Sequence, residues 1–143
     1  MDAHADINTP ESTDTGNLHG CPVSFLLGLT GTDVEPFNKW IKPCLKPSEL
    51  FVSCSSTKLP ADDSVYIGLR DVDAAEKKIL RENGIKAYSM HEVDKYGIGK
   101  VVEMALDHVN PGREKPIHLS FDVDALDPTV APSTSYVICS EVS

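Results

Sequence analysis

The stretch from Ser64 to Met90 constrains the fold most, because it reads as an apolar run, a charged amphipathic run and a second apolar run. "SVYIGL" (64–69) is short, β-branched and bounded by polar residues, which predicts a strand. "DVDAAEKKILRENG" (71–84) offers Asp73 as a helix start with Glu76 three residues on, an apolar pair at Ile79 and Leu80, and Gly84 as a stop. "IKAYSM" (85–90) predicts the next strand. Strands that alternate with helices of about ten residues build βαβ units around a parallel sheet.

The rest of the chain extends this α/β pattern. "CPVSFLLGL" (21–29) predicts a buried helix, and "IGKVVEMALDHV" (98–109) an amphipathic one that ends before Asn110, Pro111 and Gly112. "PIHLSFDVD" (116–124) predicts a third strand, with Asp122 and Asp124 on one face and Ile117, Leu119, Phe121 and Val123 filling the other. The whole, residues 1–143, fits one domain. Residues 51–63, rich in Ser, Cys and Thr without a sustained period, read as an atypical insert, and residues 134–143 as an atypical tail.

The formal charge of −9 and the pI near 4.9 argue against nucleic acid as a partner, since a phosphate backbone draws on clustered Lys and Arg. Divalent cations suit the balance better. No run approaches the roughly 18 apolar residues that span a bilayer, and the first residues are acidic, so the expected location is cytoplasmic, without membrane association. Cys21, Cys44, Cys54 and Cys139 lie far apart with no CxxC spacing and are expected to be reduced thiols.

Chemistry concentrates at the two ends of the chain. In an extended segment residues i, i+2 and i+4 point the same way, so Asp2, His4 and Asp6 share a face. With Asp122 and Asp124 they form a set of five ligand-type side chains that can converge at neighbouring strand ends, where open α/β sheets bind ligands. Either motif alone also describes an ordinary solvated turn, and the joint occurrence is what points to a site. Carboxylates with a single imidazole favour Mn²⁺ over Zn²⁺, which recruits Cys or several His. Paired metal ions lower the pKa of the water between them, which implies hydrolysis.

"DAHADINTP", "TGNLHG", "YIGLRDVD" and "HLSFDVDALDP", in this order, resemble the arginase family of manganese-dependent ureohydrolases, and residues 2–50 and 64–133 follow its pattern. The resemblance implies a three-layer αβα fold with a central parallel sheet and a binuclear manganese centre. It makes Asp2, His4, Asp6, Asp122 and Asp124 metal ligands, with Asp2 and Asp122 bridging and Asp6 also holding the attacking water. His19 corresponds to the proton shuttle to the leaving amine. Asn8, Thr13, Thr15 and Asn17 correspond to the loop that receives the α-carboxylate of L-arginine, and Asp73 and Glu76 to acids near its α-ammonium. Asp73 and Glu76 also form the helix cap noted above, and the two roles can coexist. His91, His108 and His118 match no ligand position.

The resemblance also implies parts that this sequence does not hold: an upstream histidine completing the first metal site, a downstream glutamate facing the guanidinium, and the surfaces used for homo-oligomer assembly. One of the two Mn²⁺ sites is therefore expected to lack a ligand. Two functions remain open. One is hydrolysis of L-arginine to L-ornithine and urea; the other is a non-catalytic form that binds one metal weakly or associates with full-length subunits. Agmatine is disfavoured as substrate because it lacks the α-carboxylate that Asn8, Thr13 and Thr15 would bind.

Overall fold

The computed structural model describes residues 1–44, 64–114 and 116–132. The insert at 51–63 and the tail at 134–143 lie outside the described residues, as do Cys54 and Cys139, while Cys21 and Cys44 are free thiols. Among the described residues no helix is long and apolar enough to cross a membrane.

The predicted strand–helix–strand unit is present. Strand β1 (Val65–Leu69) pairs in parallel with β2 (Lys86–Ser89), and helix α2 (Ala74–Glu82) connects them. Asp73 caps α2 by accepting from the Glu76 N–H at 2.8 Å, and the Glu76 carboxylate accepts in return from the Asp73 N–H at 3.2 Å. This reciprocal box satisfies two of the N–H groups a helix start leaves open. Helix α1 (Pro22–Leu27) begins with proline at its first position and ends at Gly28, whose left-handed φ of 63° suits a residue without Cβ. A Cβ there would stand 2.7 Å from the Pro43 ring, so the close approach of that loop also requires glycine.

Helix α4 (Ile98–Val109) has the predicted bounds, and buries Val101, Ala105 and Val109, four residues apart along one face. Helix α3 (Met90–Tyr96) was not anticipated, although its capping signal, Ser89 with Glu92 three residues on, is in the sequence. The apolar run "IKAYSM" masks it, because Met90 continues the run while already opening the helix.

All five residues of β1 are buried, and they feed two cores. Tyr66 and Leu69 pack with Ala5, Ile7, Leu27, Leu80 and Ile85 on the side of α1 and α2, whereas Val65 and Ile67 pack with Tyr88, Val101, Ala105 and Val109 on the side of α4. Period-two side chains thus place helices on both faces of the sheet, the expected αβα layering.

The expected third strand at 116–124 is corrected by the structure. Ile117 makes an isolated bridge and Val123–Ala125 forms a 3-10 turn. The Asp122 side chain accepts from the Asp124 N–H at 3.0 Å, which bends the chain out of an extended course. The side chains expected to fill a core are exposed instead: Ile117 at 42%, Leu119 at 59%, Phe121 at 51% and Val123 at 47%. A strand needs a ladder, and beside the bridge at Ile117 the described residues give this segment two bonds to Met1, its amine donating to the Ser120 carbonyl and its carbonyl accepting from the Asp122 N–H. Residues 2–6 likewise form no regular ladder, yet they alternate as predicted, with Ala3, Ala5 and Ile7 buried and Asp2, His4 and Asp6 turned the other way.

Candidate metal centre

Backbone contacts at the C-terminal end of β1 seat the first acidic motif. The Asp2 N–H donates to the Ile67 carbonyl at 3.1 Å, and the N–H groups of Arg70 and Asp71 both donate to the Ala3 carbonyl, at 3.0 and 3.1 Å. Gly68 stands beside this approach, and its backbone conformation favours glycine. It sits at a register shift in β1 with φ of +99°, and a Cβ on it would face the Asp2 carbonyl at 3.4 Å.

The second motif arrives from the far end of the chain. One oxygen of Asp124 accepts from the Ala3 N–H at 3.2 Å, and the other lies 2.9 Å from Nδ1 of His4. The His4 N–H donates to Asp2 Oδ1 at 2.9 Å, and Nε2 of the imidazole lies 3.3 Å from Asp71 Oδ2. One ligand-type atom each from Asp2, His4 and Asp124 falls within 4.8 Å of the others, a group that fits around a single divalent cation.

The electrostatics agree with that fit. Burial pushes Asp2 up to about 6, and the carboxylates of Asp6, Asp124 and Asp122 add to the rise. Burial raises Asp6 too, with Asp122 and Asp124 adding and His4 and His19 opposing. Burial pulls the His4 imidazole down, but Asp124, Asp71 and Asp2 together outweigh it and hold the ring above its ordinary value. Half-buried anions that crowd one another in this way favour a cation among them.

Of the five expected ligands, three converge and two stand beside them. Asp6 is half-buried with a φ of 51°, rare for a residue with a side chain, and Asp122 is exposed at the start of the 3-10 turn. Both act on Asp2 through their charge. His19 is exposed in the 3-10 turn Leu18–Gly20, close enough for its charge to act on Asp6.

The expected substrate residues gather in the adjoining loop. Asn8 is buried, its side-chain amide N–H donating to Asp73 Oδ2 at 2.7 Å and its Oδ1 accepting from the Ser12 hydroxyl at 2.7 Å. Thr15 Oγ1 accepts from the Asn17 N–H at 3.2 Å and lies 3.4 Å from the Thr13 hydroxyl, with Thr15 and Asn17 exposed. Glu76 is only 5% exposed, and both its oxygens are engaged, one by the Ile7 N–H and one by the Asp73 N–H, each at 3.2 Å. Of the histidines outside the motifs, His91 and His118 are exposed, and Nε2 of His108 is buried without a partner.

Two residues escaped the sequence reading. Asp71 faces His4, and the Arg70 guanidinium donates to the Asp124 carbonyl. Both follow β1 directly, and the end of a parallel strand was the signal available to find them.

A parallel αβα sheet with carboxylates and an imidazole gathered at the end of β1 defines an α/β protein with a candidate divalent-cation centre. The pattern that defines the Arginase family matches residues 1–139. The arginase of Glaciozyma antarctica is 65% identical over 140 residues, which are 96% of this chain and 36% of that protein. The arginase of Neurospora crassa is 60% identical over 134 residues, 94% of this chain and 34% of its own. The crystal structure of the cold-adapted Glaciozyma antarctica arginase superposes with a TM-score of 0.70 at 66% identity, over 90% of this chain and 41% of that one. The chain belongs to the arginase family, has its α/β fold in part, and spans about a third of the length of these curated relatives.

Proposed function

We propose that this chain carries metal and substrate residues of a manganese-dependent hydrolase that converts L-arginine to L-ornithine and urea. The observation that carries the reading is the convergence of Asp2, His4 and Asp124 from opposite ends of the sequence. The names of the relatives support the substrate. Two carboxylates with one imidazole support Mn²⁺, with Asp6 and Asp122 adjoining as further oxygen donors.

Asp2, His4 and Asp124 would hold Mn²⁺ there, and the ion would supply Lewis acidity and a nucleophile at neutral pH. The chain's own residues do the rest. Thr13, Thr15 and Asn17 present short polar groups from one exposed loop to the α-carboxylate. Asp73, held by the amide of the buried Asn8, sets a negative charge for the α-ammonium. Water adds to the guanidinium carbon, the bond from that carbon to the side-chain nitrogen breaks, and His19 delivers the proton that lets ornithine leave.

The test is urea release on addition of Mn²⁺ with L-arginine or agmatine. Turnover of L-arginine far above agmatine is expected, and equal rates on both would refute the carboxylate-loop assignment. A second reading has its own observation: among the described residues the convergent group holds ligands for one ion. One Mn²⁺ per chain without urea would establish that non-catalytic form.

A further inference from the structure

We infer that Glu76 is a positioning residue that clamps the metal-ligand loop to helix α2, rather than a group that touches substrate. The inference rests on the metal reading above and deepens it. Asp6 holds a φ of 51°, a left-handed conformation that is uncommon for a residue with a side chain and persists where the surroundings over-determine it. Three hydrogen bonds grip the peptides on either side. The Tyr66 hydroxyl donates to the Ala5 carbonyl at 2.9 Å, the Val23 N–H donates to the Asp6 carbonyl at 3.0 Å, and the Ile7 N–H donates to Glu76 Oε1 at 3.2 Å.

Glu76 contributes the charged member of this set, and charge-assisted bonds are the stronger kind. Its other oxygen closes the α2 capping box on Asp73, and Asp73 in turn holds the amide of Asn8. One carboxylate therefore ties residue 7, the start of α2 and the residue after Ile7 into a single unit. Glu76 is 5% exposed, and the backbone N–H groups of Ile7 and Asp73 each take one of its oxygens, which turns the carboxylate toward the loop and the helix start. Its effect on the reaction is exerted on Asp6 and the ligands beside it.

Two variants and a control test this in the full chain. Glu76→Gln keeps the shape but cannot accept from both N–H groups; Glu76→Ala removes both acceptors and serves as the second variant. Glu92→Gln weakens the equivalent capping box of α3, where Glu92 accepts from the Ser89 N–H at 2.8 Å and from its hydroxyl at 2.6 Å, without touching the metal loop. The readouts are Mn²⁺ affinity by calorimetry and, on the metal-free chain, exchange of the Ile7 amide followed by NMR.

The clamp predicts a Mn²⁺ affinity roughly 10–100-fold lower in the Glu76 variants, as for other residues that orient metal ligands. It predicts Ile7 exchange about tenfold faster, the loss of one hydrogen bond. Glu92→Gln should leave both unchanged. Unchanged affinity or unchanged Ile7 exchange in a folded Glu76 variant overturns the inference, as does an equal loss in Glu92→Gln, which would mark a general stability effect. A wild-type chain that takes up no Mn²⁺ refutes the metal reading itself, and Ile7 exchange then decides the clamp alone.

Discussion

The Nδ1 atom of His4 lies 2.9 Å from Oδ2 of Asp124, a contact between residues 120 positions apart that joins the two acidic motifs into one site. Asp124 also receives the Ala3 N–H, so its removal leaves a half-buried donor open as well as a ligand position empty. Asp124→Ala is expected to lower Mn²⁺ affinity by more than about 100-fold, and Asp71→Ala, which strips the partner from His4 Nε2, by roughly 10–100-fold. Calorimetric titration checks both, and equal affinities for Asp71→Ala and wild type would show that Asp71 leaves His4 unaffected.

Stability of the metal-free chain should depend on pH in a set direction. Asp2 rises from 3.8 to about 6 on folding, because burial and neighbouring carboxylates disfavour its charge. The folded state then binds the proton more tightly than the unfolded state, so this contribution is full below 3.8 and is lost as pH rises through about 6. Asp6 and Glu76, also raised chiefly by burial, act in the same direction. With chelator present, the melting temperature is expected to fall across that window, and Asp2→Asn should flatten the fall. A melting temperature that climbs with pH from 4 to 6 would contradict the assignment.

Tyr66 is buried and its hydroxyl donates to the Ala5 carbonyl at 2.9 Å, inside the core that carries the ligand loop. Tyr66→Phe keeps the ring and abandons the carbonyl, at a cost of about 1–3 kcal/mol. Urea denaturation measures this, and a loss under about 0.5 kcal/mol would mean that the carbonyl finds another donor.

The exposed alternation Ile117, Leu119, Phe121 and Val123 presents an apolar edge next to the site. Contiguous apolar edges promote self-association, and a lysine on such an edge suppresses it. Leu119→Lys or Phe121→Lys is expected to raise the concentration at which the chain stays monodisperse by light scattering, with little change in melting temperature. A large drop in melting temperature would show that these side chains support the fold.

The legible parts of the sequence were those where local pattern and tertiary partner coincide. The βαβ unit and α4 follow from periodicity and capping pairs that the structure satisfies within the segment itself. Residues 116–124 have an equally good strand pattern, but a strand is completed by its neighbours, and the Asp122 turn shows that local side-chain bonding prevails where the ladder is sparse. In the site, alternation alone placed Asp2, His4 and Asp6 on one side. It could not show that Asp71 would meet His4, or that Glu76 would be turned inward to Ile7, because both contacts depend on how the end of β1 and the start of α2 lie against the first residues of the chain.

The most direct test of the central claim is Mn²⁺ titration of the purified chain beside Asp124→Ala, with stoichiometry read from the same experiment. Saturable binding by the wild type that Asp124→Ala abolishes is the predicted result. No saturable binding, or binding that survives Asp124→Ala unchanged, would contradict a metal centre at Asp2, His4 and Asp124.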